Sequence, residues 1–172
     1  MNRILAIEAA AAAGDLSGLR AAFGAPADFP NVRDECGQTC LEYAIYHGPV
    51  SLVRELLELG ADPNFSDTGG FPSLFAAIDR KAPDRHEVLA LLVAAGVDVQ
   101  QRGVNDYTAL HYAACRDDAT AVEMLLRNGA DPAAVTRIDH YATPLAEAER
   151  FGHTIGAAAL RRWTAAQPPP AR

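Results

Sequence analysis

Three cysteines, five histidines and 22 acids are the groups in this 172-residue chain whose chemistry reaches beyond packing. Cys36, Cys40 and His47 are of the types that ligate transition metals, but the Cys-x3-Cys pair lacks the second pair that a structural zinc site needs. No metal is expected there. Cys115 precedes Arg116, whose charge favours a thiolate, yet the sequence pairs no base with it. His111, Asp79, Asp117 and Asp118 are general acid–base types, and an enzyme reading requires such acids to converge with His111 or Arg116 in a groove and acquire shifted pKa values. Gly69-Gly70 is a turn signal followed by neither a phosphate-loop lysine nor a dinucleotide fingerprint. No catalytic residue and no cofactor is therefore assigned.

The elements that would position these groups are set first by bulk properties. An apolar fraction of 49% against 22% charged residues suits one folded unit. Fifteen basic and 22 acidic residues give a net charge of −7, which repels phosphate backbones and anionic headgroups, so neither nucleic acid nor a membrane is an expected partner. No segment approaches the roughly 20 uninterrupted apolar residues of a membrane helix. An odd, small cysteine count suits a reducing compartment, and a cytoplasmic location is expected. The bias to arginine, with Lys81 the single lysine, and the abundance of alanine are what a GC-rich genome produces and point to a bacterial source. The run Ile4–Ala13 has the look of a secretory leader, but Glu8 interrupts it and it reads better as a first helix.

An internal repeat organises the chain. Thr39-Cys40-Leu41-Glu42-Tyr43-Ala44 leads to Leu56-Leu57 and then Gly60-Ala61-Asp62-Pro63; Pro72-Ser73-Leu74-Phe75-Ala76-Ala77 leads to Leu91-Leu92 and Gly96-Val97-Asp98. Thr108-Ala109-Leu110-His111-Tyr112-Ala113 leads to Leu125-Leu126 and Gly129-Ala130-Asp131, and a last copy opens at Thr143-Pro144-Leu145. Leu41, Leu74, Leu110 and Leu145 are separated by 33, 36 and 35 residues. Threonine before an apolar run predicts an N-cap, and glycine after a Leu-Leu pair predicts a left-handed C-cap.

This pattern resembles the ankyrin repeat, whose period is 33 and whose signature is Thr-Pro-Leu-His-x-Ala. The resemblance implies an all-α solenoid of about five repeats, each two short helices and a projecting β-hairpin loop, stacked because one repeat cannot bury its apolar face alone. Boundaries are expected near 2–31 for a degenerate first repeat, 32–65, 66–100, 101–133 and 134–166 for a closing one, within a domain spanning 1–166. Residues 167–172 form a proline-rich tail.

Two departures lengthen the pattern. Pro72 to Leu91 spans 19 residues against 17 for Thr39 to Leu56, and Gly129 to Thr143 spans 14 against 12 for Gly60 to Pro72. Insertions in solenoids fall in loops, often on the binding face, or are simple length variation. Members of the family bind partners through hairpin tips and the exposed end of the first helix, along a concave groove. Carried over by position, the partner-binding candidates are Tyr46, Phe71, Asp79, Arg80, Asn105, Tyr107, Arg116, Asp117, Asp139 and His140. Asp117 replaces the glycine usual in the family, without an evident structural return. The expected function is a scaffold or adaptor, a monomer that binds an unidentified protein and is not an enzyme. The alternatives are a small-molecule or catalytic site in repeats three to five, and an acidic inhibitor of a basic partner.

Overall fold

Each Gly-Ala-Asp or Gly-Val-Asp turn ends the helix before it, so the apolar runs cannot merge into long helices. The computed structural model describes residues 3–66, 69–137 and 141–166; among them the chain forms ten α-helices and no extended strand. The helices are α1 Arg3–Ala13, α2 Leu16–Ala22, α3 Cys40–His47, α4 Val50–Glu58, α5 Ser73–Asp79, α6 Arg85–Ala94, α7 Ala109–Cys115, α8 Ala119–Arg127, α9 Pro144–Arg150 and α10 Thr154–Ala166. They pack in consecutive pairs and divide between two compact units, Met1–Asp98 and Val99–Arg172. In the first unit α3 packs on both α1 and α5, and α4 on α6. In the second, α7 packs on α9 and α10 packs on α8.

The caps follow the sequence. The Thr39 and Thr143 hydroxyls accept from the Glu42 and Ala146 amides, and Thr108 forms a reciprocal cap with His111. Pro72 stands in this position in the third copy and offers no side-chain acceptor. Gly60, Gly96 and Gly129 each hold φ between +83° and +89°, and the amide after each returns to Leu56, Leu92 or Leu125. Leu41, Leu74 and Leu110 are fully buried, whereas Leu145, the same position in the last copy, is half-buried. The Ile4–Ala13 run lies in α1, with Ile7 and Ala11 buried. Among the described residues no helix is long and apolar enough to cross a membrane.

Single antiparallel bridges, Arg33 with Thr39, Ser66 with Pro72 and Arg102 with Thr108, pinch the hairpin loops. Side chains stitch each loop to the next within a unit. Arg33 Nη1 donates to the Ser66 carbonyl at 3.2 Å, and Arg102 Nη1 to the Val135 carbonyl at 3.0 Å, each 33 residues on. Asn31 Oδ1 and Asn64 Oδ1 likewise accept the amides of Asp62 and Asp98 at 2.7 Å. The proline-rich tail lies outside the described residues.

Candidate functional site

In the second unit the buried His111 sits on α7. Its Nδ1 faces the Thr108 amide at 3.2 Å and the Thr108 hydroxyl at 2.9 Å, and its Nε2 lies 3.1 Å from the Ala142 carbonyl. An Nδ1 that accepts and an Nε2 that donates define a neutral imidazole, and burial lowers its pKa, against the raising effect of the Ala142 bond. Both nitrogens are committed to structure. Tyr107 stacks on this ring, centroids 5.4 Å apart and planes 18° apart. Its hydroxyl is hydrogen-bonded to Glu147 and to Cys115, and burial, with the nearby thiol and carboxylate, pushes its pKa up to about 12. Burial also pushes the Cys115 thiol up to about 11, outweighing Arg116, so the thiol is protonated at neutral pH.

Glu147, on α9, completes this cluster and is buried, with Arg150 Nη1 3.7 Å from its Oε1. Sequence reasoning passed over it. The signal was present: counted from the capping residue, the same position holds Tyr43, Ala76 and Tyr112 in the other copies, all buried, so a carboxylate there breaks the pattern.

Other candidates serve the scaffold. Asp117 takes φ +55°, and its Oδ1 accepts the amides of Ile155 and Gly156 at 3.0 and 2.9 Å, capping α10. The absence of a structural return is thereby corrected: the aspartate gives up an easy turn to bind the next helix pair. Gly156 is required at this junction, because a Cβ there would meet the Ala114 carbonyl oxygen at 2.4 Å. Asp118 caps its own helix through the Ala121 amide. Arg116 is exposed and lies over the Tyr112 ring at 4.9 Å while donating to its hydroxyl at 2.6 Å. Asn105 sits exposed at the hairpin tip with φ +59°. Beside it Asp106 binds Arg102 at 2.9 Å and Arg137 at 2.7 Å, and chiefly the Arg137 hydrogen bond draws its pKa down to about 2. The mixed-sign residues Arg102, Asp106 and Arg137 thus form an ion-pair network between hairpins. Asp139 and His140 lie outside the described residues.

In the first unit Tyr46 is 36% exposed at the end of α3, beside His47, and Phe71 meets Phe75 edge-on at 5.9 Å. Asp79 is half-buried at the end of α5. Arg80 departs from expectation. Its side chain is 4% exposed and turned inward, donating to the Ile45 and Gly48 carbonyls at 2.6 and 2.9 Å and forking onto Asp84 at 2.6 and 3.0 Å. The lengthened turn holds the carboxylate that the fork needs, and the Arg80 hydrogen bond lowers the Asp84 pKa. Asp34, Tyr43 and Cys40 form a further buried group: the Tyr43 hydroxyl donates to Asp34 at 2.7 Å, and burial raises the Cys40 thiol to about 12. Among the described residues no three His, Cys, Asp or Glu side chains gather as metal ligands.

Comparison with known families fits this geometry. A model of three ankyrin repeats matches residues 7–103, and a single-repeat ankyrin model matches residues 105–137. The chain belongs to the ankyrin-repeat family. Ankyrin repeats are protein–protein interaction modules, and their proteins are in general binding scaffolds rather than enzymes. A palmitoyltransferase of Kluyveromyces lactis is 35% identical to this ankyrin-repeat chain over 117 residues, 67% of this chain and 16% of the relative. A putative ankyrin repeat protein of Rickettsia felis is 27% identical over 118 residues, 69% of this chain and 38% of the relative. Alpha-latroinsectotoxin of Latrodectus tredecimguttatus is 34% identical over 106 residues, 59% and 7% respectively. The chain spans less than half the length of each of these three relatives.

Proposed function

We propose that this ankyrin-repeat chain is a monomeric scaffold that holds a protein partner on the first helices and hairpin turns of its units and performs no chemistry itself. One observation carries the reading. The ends of the first helices present Tyr46 in one unit, and Arg116 and Phe151 in the other, with exposed side chains of the types that supply large contact area at low entropic cost. In the second unit Asn105 and Tyr107 add candidates from the preceding hairpin, and in the first unit Phe71 and Asp79 are further candidates. The acids and the histidine that an enzyme would recruit are instead engaged in helix caps and hairpin bonds.

Affinity capture from a native lysate tests the reading, comparing the wild type with a Tyr46→Ala, Arg116→Ala double variant. Loss of a captured protein with unchanged helical signal and melting is expected. Capture that survives the double substitution would remove these residues from the binding surface.

The charge distribution favours a second reading, an acidic inhibitor of a basic protein. Residues 1–98 carry seven basic and fourteen acidic side chains, whereas residues 99–172 carry eight of each. The first unit alone therefore holds the net charge. Capture through it would weaken steeply with salt; capture insensitive to salt excludes this reading.

A further inference from the structure

Buried carboxylates ordinarily have every oxygen hydrogen-bonded, because a charge taken out of water without partners loses its solvation with nothing in return. Glu147 departs from this rule. It is 3% exposed; the Tyr107 hydroxyl is hydrogen-bonded to the carboxylate, the Arg150 guanidinium stands at a long 3.7 Å from Oε1, and Oε2 is buried with no hydrogen-bond partner among the described residues. Stacking does not ask for a carboxylate there, since Tyr43, Ala76 and Tyr112 fill the same position in the other copies. Around it stand the Tyr107 hydroxyl, the Cys115 thiol and the Arg150 guanidinium, the last 46% exposed and lying over the Phe151 ring at 5.0 Å. The cluster sets an anionic acceptor beside a phenol, a neutral thiol and a half-exposed cation.

We propose that this cluster is a socket for one lysine side chain of the partner protein, whose ammonium hydrogen-bonds Glu147 Oε2 and the Tyr107 hydroxyl oxygen. The proposal rests on the protein-binding reading above and names the chemistry of the partner. Lysine suits the socket better than arginine. A guanidinium fork is matched to two free carboxylate oxygens, whereas Oε1 here faces Arg150; an ammonium is a point charge with rotatable donors and needs only Oε2 and a second acceptor. A hard metal ion would require several oxygen ligands where the cluster offers one carboxylate and one phenol. The neutral Cys115 thiol is a polarizable wall for the lysine stem. Arg150 keeps its stack on Phe151 and its place at Oε1 while the ammonium takes Oε2.

The probe is Nα-acetyl-lysine methylamide, titrated into the whole chain labelled with 13C at glutamate carboxyl carbons and followed by NMR. Arginine and norleucine analogues are the controls. A saturable shift of the Glu147 carboxyl signal is expected with the lysine probe, a weaker one with the arginine analogue and none with norleucine. Arg150→Ala removes the competing cation and should tighten the lysine response by roughly a few-fold, as expected for an exposed ion pair. Tyr107→Phe, which retains the ring on His111, should weaken it. Glu147→Gln removes the assigned signal itself, so in that variant the Tyr107 ring resonances report, and they should no longer respond. No saturable response in either the wild type or Arg150→Ala, or an equal response to norleucine, overturns the socket. Because the probe acts without a partner, a failed titration beside successful protein capture defeats the socket alone. A lysine response beside failed capture defeats the protein-binding reading alone.

Discussion

The turn after α5 and the turn after α7 occupy the same place in their helix pairs, and both use a charged side chain to tie one pair to another. Arg80 reaches back 32 to 35 residues to carbonyls at the end of α3; Asp117 reaches forward 38 and 39 residues to amides at the start of α10. Each sign suits its target, since a helix C-terminus attracts a cation and an N-terminus an anion. The supports differ. Arg80 is buried and relies on Asp84 from the lengthened turn, whereas Asp117 is partly exposed and accepts two backbone donors directly, at a left-handed φ. A guanidinium removed from water needs a counter-charge; a carboxylate at a helix start does not.

The largest effect that would break this comparison is expected at Arg80. Arg80→Ala strands the Asp84 carboxylate and two carbonyls and should cost about 3 kcal/mol in urea unfolding, with Arg80→Lys recovering less than half because a point donor cannot span them. A cost no greater than that of a surface pair would mean that the clasp is dispensable. Asp117→Ala should cost about 1 kcal/mol, Asp117→Asn much less, since asparagine caps equally well, and Asp117→Gly less than alanine because it relieves the positive φ. Glycine proving worse than alanine would show that the backbone conformation is not what the position demands.

The two units should also separate in pH. His111 has its pKa lowered from 6.5, so the unfolded chain binds the proton first, and the stability it contributes is present above pH 6.5 and declines below it. Asp84 is lowered from 3.8, so its contribution is present above that value and is lost on further acidification. Site-resolved hydrogen exchange between pH 7 and 5 should therefore report weakening around α7 before any around the Arg80 turn; the reverse order would contradict the assigned states. The smallest effect is expected at Arg54, whose 3.3 Å pair with Glu87 joins side chains 49% and 58% exposed. Arg54→Ala should change unfolding by less than about 1 kcal/mol.

Features fixed by neighbours in sequence were readable in advance. Thr39, Thr108 and Thr143 as caps, the glycines after Leu-Leu pairs and the leucine period all depend on contacts within one turn or one repeat. Arg80 and Asp117 were not, because each finds its partners in a different helix pair, 32 to 39 residues away. Glu147 lies between these cases. Its chemistry depends on Tyr107 and Arg150, but its oddity was visible by aligning the copies and noticing a carboxylate where the others carry tyrosine or alanine.

The junction of Asp117 with Gly156 has a consequence for how such an array can change its length. Repeat arrays grow and shrink by copying or dropping whole units, and most junctions tolerate this because each unit offers its neighbour the same surface. Here the cap is given by one copy and the missing side chain by the next. A different copy inserted at this boundary would part the two halves, so the junction resists insertions that the rest of the architecture permits.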